Sequence, residues 1–187
     1  MPYATYSKLF FEVQALASKL PIIDLATTVL GTNALAVKAI LFDKTAEANW
    51  KVAWHQDLTI AVKEKKAVEG FSAWSEKAGI PHVQPPVEIL ENLLTLRIHL
   101  DDCDADNGAL KVMPKSHLHG KLDSEQISHL GETGKAYICT AKAGDVLAMR
   151  PLLLHSSSAS VQPCHRRVLH IEYAGFKLPE GLEWFNT

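Results

Sequence analysis

The sequence predicts a mainly β domain, a sandwich or jelly roll with N-terminal helices packed on one outer face. From Ala34 onward, short segments rich in leucine, valine and isoleucine alternate with turn-forming residues, as in antiparallel sheets. Before that point, the apolar residues recur with a helical period. The 187 residues suit a single domain. We expect its helical part at about residues 1–33 and its barrel at about residues 34–175.

The helical period covers residues 7–19, and Pro21 ends this first helix. A second helix begins near Asp24 and closes at Gly31, and residues 124–130 form a third. Eight strands are expected, at residues 34–42, 52–61, 93–100, 109–113, 136–140, 145–150, 152–156 and 166–173.

Residues 63–88, which follow the second strand, are expected to be irregular because they contain two glycines and three prolines. A long insertion beside a site often forms a lid. In that interpretation Phe71, Trp74 and Ile80 line the substrate side of the pocket. The alternative is that these three side chains fill a gap in the core.

Composition and charge exclude several classes of function. The 19 basic and 21 acidic residues give a net charge of −2, without a basic cluster, so nucleic acid is not an expected partner. Three cysteines without a CxxC pair favour a reducing cytoplasm over a disulfide framework. No apolar run reaches about 18 residues, so no membrane span is expected.

A short motif in the second strand offers metal ligands. Side chains alternate along a strand, so within residues 54–57 His55 and Asp57 share a face while Gln56 points away. The best third ligand is His155, at the end of an apolar run. Two histidines and one carboxylate on one side of a metal ion are typical of non-haem Fe(II) oxygenases.

The last strand has one apolar face, with Leu169, Ile171 and Tyr173, and one mostly polar face. If the apolar face packs on the helices, Arg166 points into the barrel and Arg167 points outward. A buried guanidinium needs an anionic partner, which a dicarboxylate ligand would supply. The alternatives are that Arg166 pairs with Glu172 or is exposed to solvent.

Taken in order, these segments resemble the phytanoyl-CoA dioxygenase family of Fe(II)/2-oxoglutarate oxygenases. The matching segments are WHQD at 54–57, LDDCDADNGALKVMPKSHLHG at 100–120, AGDVLAMRPLLLHSSS at 143–158 and HRRVLHIEY at 165–173. Arg166 also lies eleven residues after His155, which is the spacing in the family.

The resemblance implies a double-stranded β-helix in which His55, Asp57 and His155 are the metal-binding and catalytic residues and hold Fe(II). It also implies that Arg166 and Ser157 bind 2-oxoglutarate, that O2 is consumed, and that a small organic molecule is hydroxylated. Asn107-Gly108 matches a turn that shapes the site in the family, although a plain hairpin turn is the preferred interpretation.

Two positions depart from the family pattern. Lys115 replaces a loop glycine, which puts the backbone of that loop in question. Arg97 stands where many relatives carry a tryptophan, on the polar face of its strand. It is a candidate to contact the cosubstrate or an acidic group of the substrate, or to pair with Asp101 or Asp102. Two lysines, Lys38 and Lys44, are also within reach of the site.

Two rival functions stay open at this point. A cupin-like metalloenzyme that does not use 2-oxoglutarate would need the metal ligands but not Arg166. A catalytically silent barrel that only binds a partner would need neither. The sequence predicts neither the oligomeric state nor the substrate's identity.

Overall fold

A computed structural model describes residues 10–161 and 165–185 of the chain. Within these residues the strands are, in chain order, β1 (Leu35–Lys44), β2 (Val52–His55), β3 (Ile60–Ala61), β4 (Ser72–Lys77), β5 (Ile80–Gln84), β6 (Leu94–His99), β7 (Leu110–Val112), β8 (Tyr137–Cys139), β9 (Val146–Met149), β10 (His155–Ser157) and β11 (Arg166–Ala174). The helices are α1 (Phe10–Ala17), α2 (Ile22–Leu30), α3 (Val87–Glu91) and α4 (Ser124–Thr133), with a 3-10 turn at Ser116–His119.

Two four-stranded antiparallel sheets form the body of the domain, in the orders β1-β11-β6-β9 and β2-β10-β7-β8. A third, smaller sheet has the order β3-β5-β4. This arrangement is the predicted jelly roll, or double-stranded β-helix. The site described below lies between the two larger sheets.

The sheet that contains β11 separates an apolar outer face from a polar inner face. Alternate residues of β6 and β11 pack with α1 and α2 in one cluster, whose members include Leu94, Leu96, Ile98, Leu169, Ile171, Tyr173, Val13, Ala17 and Ala26. The Tyr173 hydroxyl donates a hydrogen bond to the Ala17 carbonyl at 3.0 Å. The residues between them point inward, so the parity predicted for the last strand is confirmed.

The predicted helices are present in the described part of the chain. Residues 7–9 of the first predicted helix lie outside it, and α1 ends at Ala17. Gly31 closes α2 with a φ of 68°, a left-handed conformation that glycine adopts without strain. A capping box between Asp123 and Gln126 starts α4, which runs three residues further than predicted, to Thr133.

The prediction of one strand over residues 52–61 is wrong. The chain leaves the sheet after His55 and forms β3 only at Ile60, in the third sheet. The break occurs because the Gln56 side chain turns into the core and forms hydrogen bonds there, instead of continuing a ladder.

The prediction that residues 63–88 are irregular is also wrong. They contain β4 and β5, which form a hairpin paired to β3, followed by the start of α3. Phe71 and Trp74 are partly buried against the core cluster that includes Val83 and Trp184. This packing favours the interpretation of these side chains as core; closure of the segment over the site stays a prediction.

The remaining sequence expectations concern cysteines and membranes. Cys103 and Cys139 are buried free thiols, and Cys164 lies outside the described residues. No helix in the described ranges has the length and apolar character that a membrane span requires.

Candidate active site

Three potential metal ligands meet between β2 and β10. These strands pair in antiparallel register with His155 opposite His55, and Asp57 follows two residues after His55. The Nε2 atoms of His55 and His155 lie 3.8 Å and 3.7 Å from the two carboxylate oxygens of Asp57. One ligand atom from each residue lies within 4.8 Å of the others. These separations are too long for hydrogen bonds and suit three donors around one ion.

Both histidines are oriented by the backbone of their own strands. His55 Nδ1 lies 2.9 Å from the Ala53 carbonyl, and His155 Nδ1 lies 2.7 Å from the Leu153 carbonyl. Because a carbonyl oxygen only accepts, each Nδ1 carries the proton. Each Nε2 faces Asp57 and is the ring atom left for a metal ion, as in metal-ligating histidines.

The ionisation states also fit a metal ion. Burial lowers the pKa of His155 to about 4, so its ring is neutral at neutral pH. Burial alone would raise the pKa of Asp57, but the neighbouring His155, His170 and Lys38 outweigh it and hold that pKa below its usual range. The Oδ2 atom of Asp57 is buried without a hydrogen-bond partner in the described structure. A cation between the three side chains would satisfy it.

Gln56 joins the segments that carry the ligands. It is 5 % exposed, and its Nε2 donates to the carbonyls of Gly120 and Leu152 at 2.9 Å and 2.7 Å. Its Oε1 accepts from the Leu122 amide at 2.8 Å. Gln56 thus ties the His55–Asp57 corner to the segment that leads into His155.

Arg166 points into the interior, as predicted, and is 3 % exposed. It forms no ion pair with any residue that the structure describes, and its Nε has no hydrogen-bond partner there. Both alternatives considered for Arg166 are therefore wrong. It is not exposed, and Glu172 pairs with Lys38 at 2.7 Å. Arg167 lies outside and pairs with Asp101 at 2.8 Å.

Lys44 and Ser157 lie beside Arg166. The ammonium group of Lys44, which is 1 % exposed, donates to Ser157 Oγ at 3.3 Å and to the Ser158 carbonyl. Burial, and then the charge of Arg166, lower the pKa of Lys44 to about 8. Arg166, Lys44 and Ser157 together form a positively charged end of the interior.

The Asn107-Gly108 turn closes over this charged end. Gly108 has a φ of +81°, and a Cβ there would lie 2.7 Å from the Ser158 carbonyl oxygen and 3.0 Å from Lys44 Nζ. The glycine is therefore required both by its backbone conformation and by this close approach. The turn joins β6 and β7, which lie in different sheets, so the preferred interpretation of a plain hairpin is wrong. The turn instead packs against Lys44 and Ser158.

Arg97 also points inward and is 6 % exposed. Its Nη1 lies 3.1 Å from His170 Nδ1, and its guanidinium carbon lies 5.6 Å from the centre of the Phe42 ring. The alternative of an ion pair with Asp101 or Asp102 is wrong, because Asp101 binds Arg167 and Asp102 binds Lys142. Burial, and then Arg166, lower the pKa of Arg97 to about 10, which leaves it charged at neutral pH.

Comparison with known proteins identifies the family of the chain. Residues 12–168 match the model of the phytanoyl-CoA dioxygenase family, PhyH. The chain belongs to this family. The family predicted from the sequence motifs, whose members use Fe(II), 2-oxoglutarate and O2, is thereby confirmed. No curated protein matches the chain.

Solved structures show the same fold at low sequence identity. EctD from S. alaskensis, solved with 2-oxoglutarate and 5-hydroxyectoine, has a TM-score of 0.66 and 19% identity over 99% of this chain and 62% of its own. AviO1 from Streptomyces viridochromogenes Tue57 has a TM-score of 0.61 and 22% identity over 89% of this chain and 61% of its own. The epimerase SnoN from nogalamycin biosynthesis has a TM-score of 0.67 and 18% identity over 92% of this chain and 60% of its own. The chain thus spans about three-fifths of the length of these structures.

The loop that departs from the family pattern keeps a glycine-like backbone. Lys115 has a φ of 69°, in the left-handed region, and caps the 3-10 turn at Ser116–His119. The position therefore has a conformation that suits glycine, and the lysine carries the backbone strain.

Sequence reasoning did not assign roles to Gln56 or to the pair of Lys38 and Glu172. Alternation along the strand predicted only that Gln56 points away from the two ligands, and it predicted none of its hydrogen-bond partners. Lys38 on β1 and Glu172 on β11 occupy positions whose side chains point inward. Their pairing depends on the β1-β11 register, where they lie opposite each other, and that register is not readable from either strand alone.

Proposed function

We propose that the chain is an Fe(II)- and 2-oxoglutarate-dependent oxygenase of a single domain that hydroxylates a small organic molecule. His55, Asp57 and His155 hold the metal, and Arg166 and Ser157 bind the cosubstrate. The observation that carries the proposal is that three converging donors share one interior with a buried guanidinium that has no carboxylate partner in the described chain.

The donor set fits the metal. Two neutral imidazoles and one carboxylate on one side of an ion leave its other positions open, which suits non-haem Fe(II). When bound, the metal supplies oxidative chemistry with O2, driven by decarboxylation of 2-oxoglutarate to succinate. The chain's own residues hold the donors in place, through Gln56 and the two Nδ1 hydrogen bonds.

The positively charged end of the interior suits the distal carboxylate of 2-oxoglutarate. Arg166 can donate two parallel hydrogen bonds to it, which a lysine cannot. Ser157 shares strand β10 with His155, and its Oγ accepts from Lys44, which lies opposite Arg166 in the β1-β11 register. Arg97, on the neighbouring strand β6, faces the same interior and is available to an anion other than the distal carboxylate.

Substitutions of Arg166 and Arg167, which are neighbours on β11 and point to opposite faces, test the cosubstrate site. Replacing Arg166 by alanine removes a desolvated guanidinium and should weaken 2-oxoglutarate binding by about 2–5 kcal/mol. Arg167→Ala, the neighbouring control on the outer face, should change it by less than about 1 kcal/mol. Calorimetry with Mn(II) in place of iron measures both. A larger effect from Arg167→Ala would contradict the proposed site.

Succinate formation from 2-oxoglutarate, with Fe(II) and ascorbate, separates the proposal from its rivals. A cupin-like metalloenzyme would bind the metal but form no succinate, and a silent barrel would bind neither metal nor cosubstrate. As part of the same proposal we place the protein in the cytoplasm, supported by its small number of cysteines.

A further inference from the structure

The interior carries more positive charge than the proposed ligands neutralise. Among the residues that the structure describes, two anionic side chains face it, Asp57 and Glu172. The buried cationic side chains there are Lys38, Lys44, Arg97 and Arg166. Four positive and two negative charges leave a surplus of two. Fe(II) and the dianion of 2-oxoglutarate cancel each other, so the surplus persists in the loaded site.

Most of these cations already have a partner. Lys38 pairs with Glu172 at 2.7 Å, and Lys44 donates to the neutral oxygens of Ser157 and Ser158. Arg166 is matched by the distal carboxylate of 2-oxoglutarate under the proposed function. Because the distal carboxylate pairs with Arg166 and the other end of the cosubstrate faces the metal, no anion is left for Arg97.

Among the described residues, Arg97 forms no ion pair. Its neighbours are the ring nitrogen of His170 at 3.1 Å and the face of Phe42 at 5.6 Å, and neither is an anion. Its Nε has no partner among the described residues, and it is 6 % exposed. A guanidinium desolvated to this degree is costly unless an anion meets it.

We infer that the substrate carries an oxyanion, a carboxylate or a phosphate, that pairs with Arg97. The inference rests on the proposed function, because it assigns the cosubstrate to Arg166. Arg97 is buried in the same interior as the three proposed metal ligands, where its Nη1 meets His170. An anionic group held there would fix the substrate close to the metal ligands, and its charge would offset part of the surplus.

Matched neutral and anionic probes test the inference on the Mn(II)-loaded protein with saturating 2-oxoglutarate and no O2. The probes are benzoate, phenyl phosphate and benzamide, titrated by calorimetry. Wild type should bind one of the two anions at least tenfold more tightly than benzamide, and the preferred anion distinguishes carboxylate from phosphate. Arg97→Gln should abolish the preference while the Kd for 2-oxoglutarate stays within threefold of wild type. Arg167→Gln, on the outer face, should keep both the anion preference and the wild-type Kd for 2-oxoglutarate.

Two results would overturn the inference. Equal or absent binding of all three probes to wild type would do so without any variant, even if Arg97→Gln does not fold. A rise in the Kd for 2-oxoglutarate in Arg97→Gln as large as in Arg166→Gln would assign Arg97 to the cosubstrate instead. Failure of wild type to bind 2-oxoglutarate would refute the proposed function. Probe titrations of Arg97→Gln and Arg166→Gln without 2-oxoglutarate would then decide whether Arg97 binds an anion.

Discussion

Replacing Gln56 by leucine should destabilise both the fold and the metal centre. The change removes three buried hydrogen bonds, of 2.9, 2.7 and 2.8 Å, and leaves the Gly120 and Leu152 carbonyls and the Leu122 amide without partners. Each loss costs about 1–2 kcal/mol, so the free energy of unfolding should fall by roughly 3–6 kcal/mol. For a chain of this length, each kcal/mol lowers Tm by about 2–4 °C.

The effect on the metal follows from the same hydrogen bonds. Gln56 ties the corner between His55 and Asp57 to the Leu152 carbonyl, three residues before His155. Loosening that tie should weaken metal affinity by about 10- to 100-fold, as the loss of other groups that orient ligands does.

Thermal melts and Mn(II) calorimetry on Gln56→Leu measure the two effects. Gln126→Leu is the matched control. It loses one exposed hydrogen bond of a helix cap, at 2.9 Å, and should lower stability by about 1 kcal/mol with unchanged metal affinity. The reasoning is refuted if Gln56→Leu melts within 2 °C of wild type, a margin of about 1 kcal/mol, and binds Mn(II) equally well.

Three further outcomes are expected. Lys115→Gly should raise the free energy of unfolding by about 1 kcal/mol in urea titrations, because it relieves a φ of 69°; a destabilised variant would mean that the lysine is not strained. Trp74→Ala should lower stability by about 2–3 kcal/mol, since the ring packs on the core; an unchanged melt with uncoupled succinate formation would support the lid instead. Burial lowers the pKa of His99 to about 4, below the roughly 6.5 of an unfolded chain. The unfolded state therefore binds more protons between these values, and stability should fall as pH drops from 6.5 to 4. His99→Leu should show a shallower fall in pH-dependent melts, and an identical pH profile would contradict this assignment.

Strand parity was the most informative signal in the sequence. It placed Arg166 inside and Arg167 outside, and it separated the apolar face of Leu169, Ile171 and Tyr173 from the polar interior. These statements depend only on the alternation of side chains along one strand, which the local sequence determines.

Features that depend on contacts between distant segments were not readable in the same way. The strand predicted over residues 52–61 breaks because Gln56 bonds to residues 64, 66 and 96 positions further along the chain. The hairpin of β4 and β5 contains Gly79 in its turn and Pro81 in β5. Both residue types are typical of turns, so the sequence predicted an irregular segment instead of strands. Its pairing with β3 is again a long-range contact.

The ion pairs of the interior also depend on contacts between distant segments, so the sequence did not predict them. Glu172 pairs with Lys38, which lies 134 positions away in the chain. Because this pairing is long-range, the local sequence left Glu172 open as a possible partner of Arg166. In the described structure no carboxylate pairs with Arg166. This depends on how distant strands pair, so it could not be predicted from the sequence.

The metal stoichiometry of wild type and its ligand variants tests the central claim most directly. Fe(II), titrated anaerobically, should bind at one ion per chain. Alanine at His55, Asp57 or His155 should abolish this binding and all succinate formation, while alanine at the exposed His129 should change neither. Unchanged Fe(II) affinity in His155→Ala would contradict the assignment of these three residues as the metal site.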